Sequence, residues 1–287
     1  MTPDQYCRDK TGGGGSSFYY SVLFLPAEQR RAVTALHALR RELEDVVDQC
    51  QDPAVAGATL AWWRQEIENT YNGGPNHPVC QALLPAVRKY PLEKAQFHAM
   101  IDGLAANLAT SRYATFDALR QYCQRAASVP WRLSASILGG TDERVLGFAG
   151  DLGIALQLTA IIRDAGAHAR QGRVYLPLED LQRFGVTAEA LLQGKESQEF
   201  YALMAFERER AEQYYEQALS RLPDGERARQ LPGIIMAAIQ RALLAEIAKD
   251  GDRVLRHRLH LTPLRKLWIA WRTRRRERRR GKIRRKP

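Results

Sequence analysis

The stretch Leu152-Gly-Ile-Ala-Leu-Gln-Leu-Thr-Ala-Ile-Ile-Arg-Asp164 determines how this chain folds. It is apolar on nearly all sides up to Ile162, which is typical of the central helix of a helical bundle. The same helix carries Gln157, Asp164 and His168 at spacings that place them on one line, with Arg163 beside them. Polar groups on a buried helix cost free energy unless they are paired or bind a ligand. The stretch therefore predicts either a polar cavity inside a bundle or a self-satisfied buried polar network.

The rest of the chain repeats this helical periodicity and shows few strand patterns. Between Pro26 and Asp48, apolar residues recur every three or four positions, and similar stripes occupy the ranges 82–87, 97–108, 116–137, 146–162, 199–222 and 234–254. Gly- and Pro-rich turns separate the stripes, but no Pro- or Ser-rich linker divides the chain. We expect an all-α protein with one helical domain over residues 1–262 and a C-terminal extension over 263–287.

Composition favours a folded intracellular protein. The 287 residues are 45% hydrophobic with a mean hydropathy of −0.41, enough for a substantial core. From the sequence we expect no apolar run long enough to span a membrane and no secretory signal. Four widely separated cysteines form neither a zinc pattern nor a disulfide scaffold. We therefore expect a cytoplasmic location, with peripheral attachment to the inner face of the membrane as an additional hypothesis.

The positive charge belongs to the C-terminal end. The net charge is +11, but residues 272–287 contain eleven basic residues and one acidic residue, and the body carries 32 basic and 31 acidic residues. A nearly neutral body argues against specific nucleic-acid recognition. Ahead of the basic cluster, Leu264, Leu267, Trp268 and Trp271 recur at helical spacing. This amphipathic pattern predicts contact with an anionic membrane surface. The alternative is that the tryptophans pack on the bundle and the arginines are solvated.

Another polar line is predicted on the helix that contains Arg41 to Asp48. Because it comes earlier in the chain, we call it the first line, and the line through Gln157, Asp164 and His168 the second line. His37, Arg41, Glu44 and Asp48 follow one another at spacings of four, three and four residues. Two carboxylates one turn apart can hold a hard divalent cation, and a nearby arginine can bind an anion bridged to that metal. An exposed charged face is the alternative. Together with Arg170 and Arg173 beyond the other helix, the two lines predict a metal–diphosphate cavity between facing helices.

These segments resemble the squalene/phytoene synthase family, and within it the bacterial presqualene diphosphate synthases of the hopanoid pathway. The resemblance runs in order along nearly the whole chain, through the ranges 17–26, 41–48, 111–113, 155–164, 172–177 and 261–268. It implies a single-domain isoprenoid-synthase-type helical bundle with a central cavity. There, two farnesyl diphosphates are joined head to head, with Mg²⁺ binding the departing diphosphate. Nothing resembles a dinucleotide fingerprint, so the sequence does not support an NADPH-dependent step.

The resemblance also implies site residues. Asp48 and Asp164 are the expected catalytic carboxylates. The expected metal ligands are Glu44, Asp45, Asp48 and Asp164. The expected substrate-binding residues are Ser17, Tyr20, Arg41, Gln157, Arg163, Arg170, Arg173 and Tyr175.

Several positions depart from the family pattern at the chemical centre. The first acidic motif begins Glu44-Asp45 where the family has two aspartates. In the second motif, the family's Asn, Glu and final Asp are replaced by Ala160, Ala167 and His168. Magnesium strongly prefers oxygen ligands to imidazole.

Further departures lie around the expected cavity. They are His37 for a tyrosine, Ser128 and Trp131 for two glycines, and Ala105 and Asn107 for two acidic residues. Two hypotheses follow: a working prenyltransferase with a reduced metal set, or a catalytically silent relative that binds prenyl diphosphate, lipid or a protein partner.

Overall fold

The computed structural model describes residues 1–50, 52–108 and 112–283, and within them the chain is helical. The α-helices are α1 (Pro3–Lys10), α2 (Ser17–Val22), α3 (Ala27–Gln49), α4 (Pro53–Asn72), α5 (Pro78–Lys89), α6 (Lys94–Ala105), α7 (Phe116–Cys123), α8 (Val129–Ile137), α9 (Glu143–Arg163), α10 (Ala165–Arg170), α11 (Leu178–Arg183), α12 (Ala188–Leu192), α13 (Gln198–Arg221), α14 (Leu231–Lys249) and α15 (Pro263–Ile283). The described residues contain no β-strand, only an isolated bridge between Arg112 and Val174. The all-α prediction is confirmed. Ser111, part of one resembling segment, and residues 284–287 of the basic tail lie outside the described residues.

Local sequence explains where the long helices begin. The carboxylate of Asp142 accepts a hydrogen bond from the backbone N–H of Arg144 at the start of α9. Ser197 caps α13 in the same way, and Asp52 caps α4, which has Pro53 in its first turn. Such caps satisfy backbone donors that have no partner within the helix.

Within the described part of the chain, two apolar clusters form the core. One is built from α9, α13 and α14 with the segments after α10, and the other from α3, α4, α5 and α6. Tyr122, Trp131 and Leu156 pack against both clusters and remain partly exposed. Trp131, which stands where the family has a glycine, therefore lies at the junction between the two halves. A ring at this point occupies space that a glycine would leave open.

Two glycines allow close approaches that position α9 and α10. A Cβ on Gly153 would lie 2.6 Å from the Cα of Ser128, so α9 packs directly against the π-helical turn Gln124–Ser128. A Cβ on Gly166 would lie 2.6 Å from the carbonyl oxygen of Val254. The backbone between α14 and α15 is thus held against α10, which brings this connection to the end of α9.

Among the described residues, two helices are long and apolar enough to cross a membrane by length and composition, so the expectation that none would be was wrong. They are α9 and α14, whose apolar windows are 67% and 56% buried within the fold. Core helices of a bundle pass the same test, because they are apolar on most sides. Most of the buried residues of both helices belong to the first apolar cluster.

Candidate functional site

A polar side-chain contact joins helix α3 to the C-terminal half of helix α9. The Arg40 guanidinium lies 2.7 Å from the Glu44 carboxylate and donates a hydrogen bond of 3.2 Å to the side-chain oxygen of Gln157. Gln157 belongs to the polar line predicted on α9, and Glu44 belongs to the line predicted on α3. The structure therefore brings the two predicted lines together.

Arg40, not Arg41, is the arginine directed between the helices. The Arg40 side chain is 15% exposed, whereas that of Arg41 is 50% exposed and lies 3.6 Å from Glu44. Arg40 is not among the site residues predicted from the sequence. The spacing held the information, because Arg40 lies one turn before Glu44 and therefore on the same face of α3.

Asp45 faces a different neighbour. Its carboxylate lies 2.8 Å from the ammonium group of Lys10 on α1, and the same ammonium lies 2.9 Å from Glu42. Asp45 is thus directed toward the N-terminal helix, whereas Glu44 is directed toward α9. The pairing with Lys10 was not predicted from the sequence.

Asp48 is the last residue of the first line and lies near the C-terminus of α3. Arg173, which follows α10, lies 3.2 Å from its carboxylate and also donates a hydrogen bond of 3.0 Å to the carbonyl of Val47. Partial desolvation and then the negative charge of Glu44 raise the pKa of Asp48, while Arg173 opposes that rise. Glu44 and Asp48 therefore repel each other although each is paired with an arginine, and a cation bound by both would relieve that repulsion.

Asp164 is held differently. It caps the end of α9, and its two oxygens face the guanidinium groups of Arg163 at 2.8 Å and Arg258 at 2.6 Å. Burial alone would raise the pKa of Asp164, but the hydrogen bonds and charges of Arg163 and Arg258 outweigh burial and lower it. Arg258 was not predicted from the sequence, because it lies 94 residues from Asp164 along the chain.

His168 places a neutral imidazole ring where the family has a carboxylate. Its centroid lies 4.6 Å from that of Tyr175, and within the described residues its buried Nδ1 has no hydrogen-bond partner. Burial lowers its pKa to about 4, with Arg173 and Arg163 adding to the effect and Asp164 opposing it. Beside it lies a cavity of about 10 Å³ lined by Arg173 and Tyr175, which has room for about one water molecule.

His37 also stands where the family has a different side chain. Its ring stacks on Phe18 with centroids 3.9 Å apart and an interplanar angle of 14°. Burial, followed by the charges of Arg40 and Arg41, lowers the pKa of His37 well below its usual range. The His37 ring is therefore neutral, and it packs like an apolar side chain.

The remaining predicted site residues, all from the substrate-binding set, have varied neighbours. Ser17 begins α2, and Tyr20 is buried in the first apolar cluster. Arg170 donates a hydrogen bond of 3.4 Å to the carbonyl of Leu255, on the connection that carries Arg258. The hydroxyl of Tyr175 accepts a hydrogen bond of 3.5 Å from Arg173.

Only one of the two lines has a donor set that suits Mg²⁺. Glu44 and Asp48 supply carboxylate oxygens on one helix face, and these are ligands that Mg²⁺ prefers. On the second line Asp164 is engaged by two arginines, Ala160 and Ala167 offer no ligand atoms, and His168 offers nitrogen. Within residues 1–50, 52–108 and 112–283, no three acidic, histidine or cysteine side chains converge in a metal-binding group.

Comparison with known proteins places this geometry in a family. The sequence profile of squalene/phytoene synthase matches residues 11–265. The 15-cis-phytoene synthase of Synechocystis sp. is 32% identical over 282 residues, which is 93% of this chain and 84% of that protein. The phytoene synthase of Arthrospira platensis is 34% identical over 229 residues, which is 74% of this chain and 72% of that protein.

Solved structures show the same architecture. A dehydrosqualene synthase in complex with a ligand aligns with a TM-score of 0.80 and 25% identity, covering 96% of this chain and 97% of that chain. A squalene synthase from Alicyclobacillus acidocaldarius aligns with a TM-score of 0.76 and 23% identity, covering 87% of this chain and 94% of that chain. The arrangement of helices is therefore that of the isoprenoid synthases.

Proposed function

Because the chain belongs to the squalene/phytoene synthase family, we propose that it joins two farnesyl diphosphates head to head. The product would be presqualene diphosphate or a related squalene- or phytoene-type compound. Diphosphate leaves C1 of one substrate, the double bond of the other attacks the resulting allylic cation, and loss of a proton completes the cyclopropyl product. One diphosphate stays on that product and one is released. The finer assignment to hopanoid synthesis remains a prediction from the sequence.

The single observation that carries the proposal is the meeting of the two polar lines between α3 and α9. Arg40 joins Glu44 to Gln157, and Arg173 joins Asp48 to the segment after α10. Guanidinium groups match phosphate oxygens in geometry and stay charged at any physiological pH. Arg40, Arg163 and Arg173 each pair with a carboxylate of one of the two lines, and a bound diphosphate could replace that carboxylate as the partner of the guanidinium group.

Glu44 and Asp48 are the residues that would hold Mg²⁺, which when bound supplies positive charge to a departing diphosphate. The chain itself contributes the arginines that orient the anion and the apolar walls that keep water from the cation. His37 is neutral and stacked on Phe18, so it adds no competing charge to that wall. On the second line, Asp164 is the carboxylate that could contact Mg²⁺, and its pairing with Arg163 and Arg258 makes it a poorer ligand than Glu44 or Asp48.

A second candidate function has a specific observation in its favour. Each carboxylate of the two lines is already paired with a cation: Glu44 with Arg40, Asp45 with Lys10, Asp48 with Arg173, and Asp164 with Arg163 and Arg258. An arrangement neutralised in this way is compatible with a protein that binds a prenyl diphosphate without converting it. The two functions share a ligand and differ in turnover.

One experiment separates them. Purified protein is incubated with farnesyl diphosphate with and without Mg²⁺, and both the organic products and released diphosphate are identified. Turnover that requires Mg²⁺ and is abolished by Asp48→Ala supports the synthase. Saturable binding of farnesyl diphosphate without released diphosphate supports the silent relative, and the absence of both binding and turnover would overturn both proposals.

A further inference from the structure

Helix α15 has two unlike faces. Ile269, Ala270, Thr273 and Glu277 are each at most 8% exposed and pack toward the bundle, where α15 contacts α14 and α2. Four large apolar side chains remain in solvent: Leu264 is 80% exposed, Leu267 41%, Trp268 53% and Trp271 49%. These four side chains, which we call the apolar patch, all lie within the first nine residues of α15.

Helical geometry places the apolar patch opposite the buried side. Leu264, Trp268, Trp271 and Arg275 follow one another at intervals of four, three and four residues, so they form one line along the helix. The buried line through Ile269, Thr273 and Glu277 lies about half a turn away. A contiguous apolar surface of this kind on a well-packed helix marks an interaction site.

Arginines continue the same face toward the C-terminus. The guanidinium of Arg272 lies 5.0 Å from the ring centroid of Trp268, and that of Arg275 lies 5.3 Å from the ring of Trp271. Within the described residues, no carboxylate lies within salt-bridge distance of Arg272, Arg275, Arg278 or Arg279. This basic row, defined as Arg272, Arg275, Arg278 and Arg279, therefore retains its charge for an external partner.

Ion pairs at both ends of α15 hold its exposed face, which carries the apolar patch and the basic row, in one orientation. Glu277 forms a buried ion pair with Arg227 at 2.7 Å, and Arg280 pairs with Asp224 at 3.0 Å. Near the other end, Arg265 pairs with Glu246 at 2.7 Å. These contacts fix both the position and the rotation of α15, with the apolar patch turned outward.

We propose that the apolar patch and the basic row dock this protein on the surface of an anionic lipid bilayer. Tryptophan is favoured at the boundary between lipid headgroups and hydrocarbon, and leucine gains by entering the hydrocarbon. The basic row adds attraction to anionic headgroups. Two copies of this chain facing each other would bring two basic rows together, which disfavours self-association. A nucleic acid would contact the arginines but leave the apolar patch exposed to solvent, so it matches only half of this surface.

The docked helix lies next to a surface cleft. The ammonium of Lys266 donates a hydrogen bond of 2.8 Å to the carbonyl of Gly15, in the glycine turn Gly13–Gly15. Gly13 and Gly14 border a cleft of about 570 Å³ whose walls include Phe18, Val22 and Leu23. Docking through α15 would therefore keep this partly apolar cleft close to the bilayer. The docking itself does not rest on the proposed reaction.

The test uses the full chain and vesicles of phosphatidylcholine with and without phosphatidylglycerol, followed by sedimentation. We expect binding to anionic vesicles that weakens with salt. Trp268→Ala with Trp271→Ala should weaken it about tenfold, because the patch loses most of its apolar area. Trp62→Ala is the matched control, since Trp62 is 47% exposed on α4, and it should bind like the parent protein. Circular dichroism checks that each variant is folded.

Three results would overturn the proposal. Equal binding by the parent protein and the double tryptophan variant would mean that charge alone attracts the vesicles. An absence of vesicle sedimentation would remove the bilayer as the partner. A dimer in sedimentation velocity that dissociates in the double tryptophan variant would identify a second copy of this chain as the occupant. Tenfold weaker binding in Arg272→Gln with Arg275→Gln, together with the tryptophan result, supports insertion combined with charge attraction.

Discussion

The guanidinium of Arg173 lies 3.2 Å from the carboxylate of Asp48 and 3.0 Å from the carbonyl of Val47, so one side chain ties the end of α3 to the segment after α10. A cation at a helix C-terminus also offsets the partial negative charge there. Arg173 is therefore placed both to bind an anion and to hold two helices together.

Arg173→Ala is expected to weaken binding of a non-hydrolysable farnesyl diphosphate analogue by roughly ten- to a hundredfold, because a charged hydrogen bond to phosphate contributes roughly 1.5 to 3 kcal/mol. Arg173→Lys should restore part of the affinity, since lysine retains the positive charge but lacks the planar guanidinium that can donate two parallel hydrogen bonds to phosphate. Isothermal titration calorimetry measures both variants, with Arg41→Ala as the comparison at a half-exposed arginine. Unchanged affinity in Arg173→Ala would mean that this arginine serves only the pairing with Asp48.

The fold was predictable because apolar periodicity is a local property. The buried helix α9 and the turn glycines are visible in the sequence, and the helical prediction is confirmed. The pairing of charges was not predictable. Whether Arg40 or Arg41 turns inward depends on the rotation of α3 against α9, and Arg258 reaches Asp164 only because Gly166 lets the connection after α14 approach α10.

The pH dependence of stability should report the buried imidazole of His168. Its pKa is about 4 in the folded protein and about 6.5 when unfolded, so the unfolded chain binds the extra proton first as the pH falls. Stability is therefore present above pH 6.5 and is lost as the pH falls from about 6.5 to about 4, by at most roughly 3 kcal/mol. Chemical denaturation of metal-free protein between pH 7 and pH 4 measures this loss.

His168→Asn supplies the control for that experiment, because asparagine does not titrate. The difference in pH slope between the two proteins isolates His168 from Asp164 and the other carboxylates. Identical pH slopes of stability in the parent protein and His168→Asn would show that the His168 imidazole has the same pKa in the folded protein as in water.

The buried pair between Arg227 and Glu277 should control the docking of α15. Glu277→Ala leaves Arg227 without a partner at 7% exposure, a change that typically costs about 3 to 5 kcal/mol. We expect faster hydrogen exchange throughout α15, measured by mass spectrometry, because undocking lets Arg227 reach water. Arg279→Ala, on the exposed side, should exchange like the parent protein. Protection of α15 that is equal in all three proteins would show that the apolar contacts alone hold the helix.

Restoring the family's oxygen ligands on the second line should increase activity. Ala160→Asn, Ala167→Glu and His168→Asp together place three new oxygen donors around Asp164, which is otherwise engaged by two arginines. Magnesium-dependent consumption of farnesyl diphosphate should rise, with each ~1.4 kcal/mol of added transition-state stabilisation giving about a tenfold rate increase. Because the ligands would share one ion, the triple variant should exceed the product of the three single effects.

The controls distinguish an effect of metal binding from an effect of the space available to the prenyl chain. Gln171→Glu adds a carboxylate on the exposed turn after α10 and should leave the rate unchanged. If the triple variant binds Mg²⁺ but gains no rate, adding Trp131→Gly tests whether the ring between the two apolar clusters limits entry of the prenyl chain. Asp164→Ala should abolish any activity of the parent protein, because Asp164 is the remaining carboxylate of that line. A parent protein as fast as the restored variant and indifferent to Asp164→Ala would show that its chemistry does not use the second line at all.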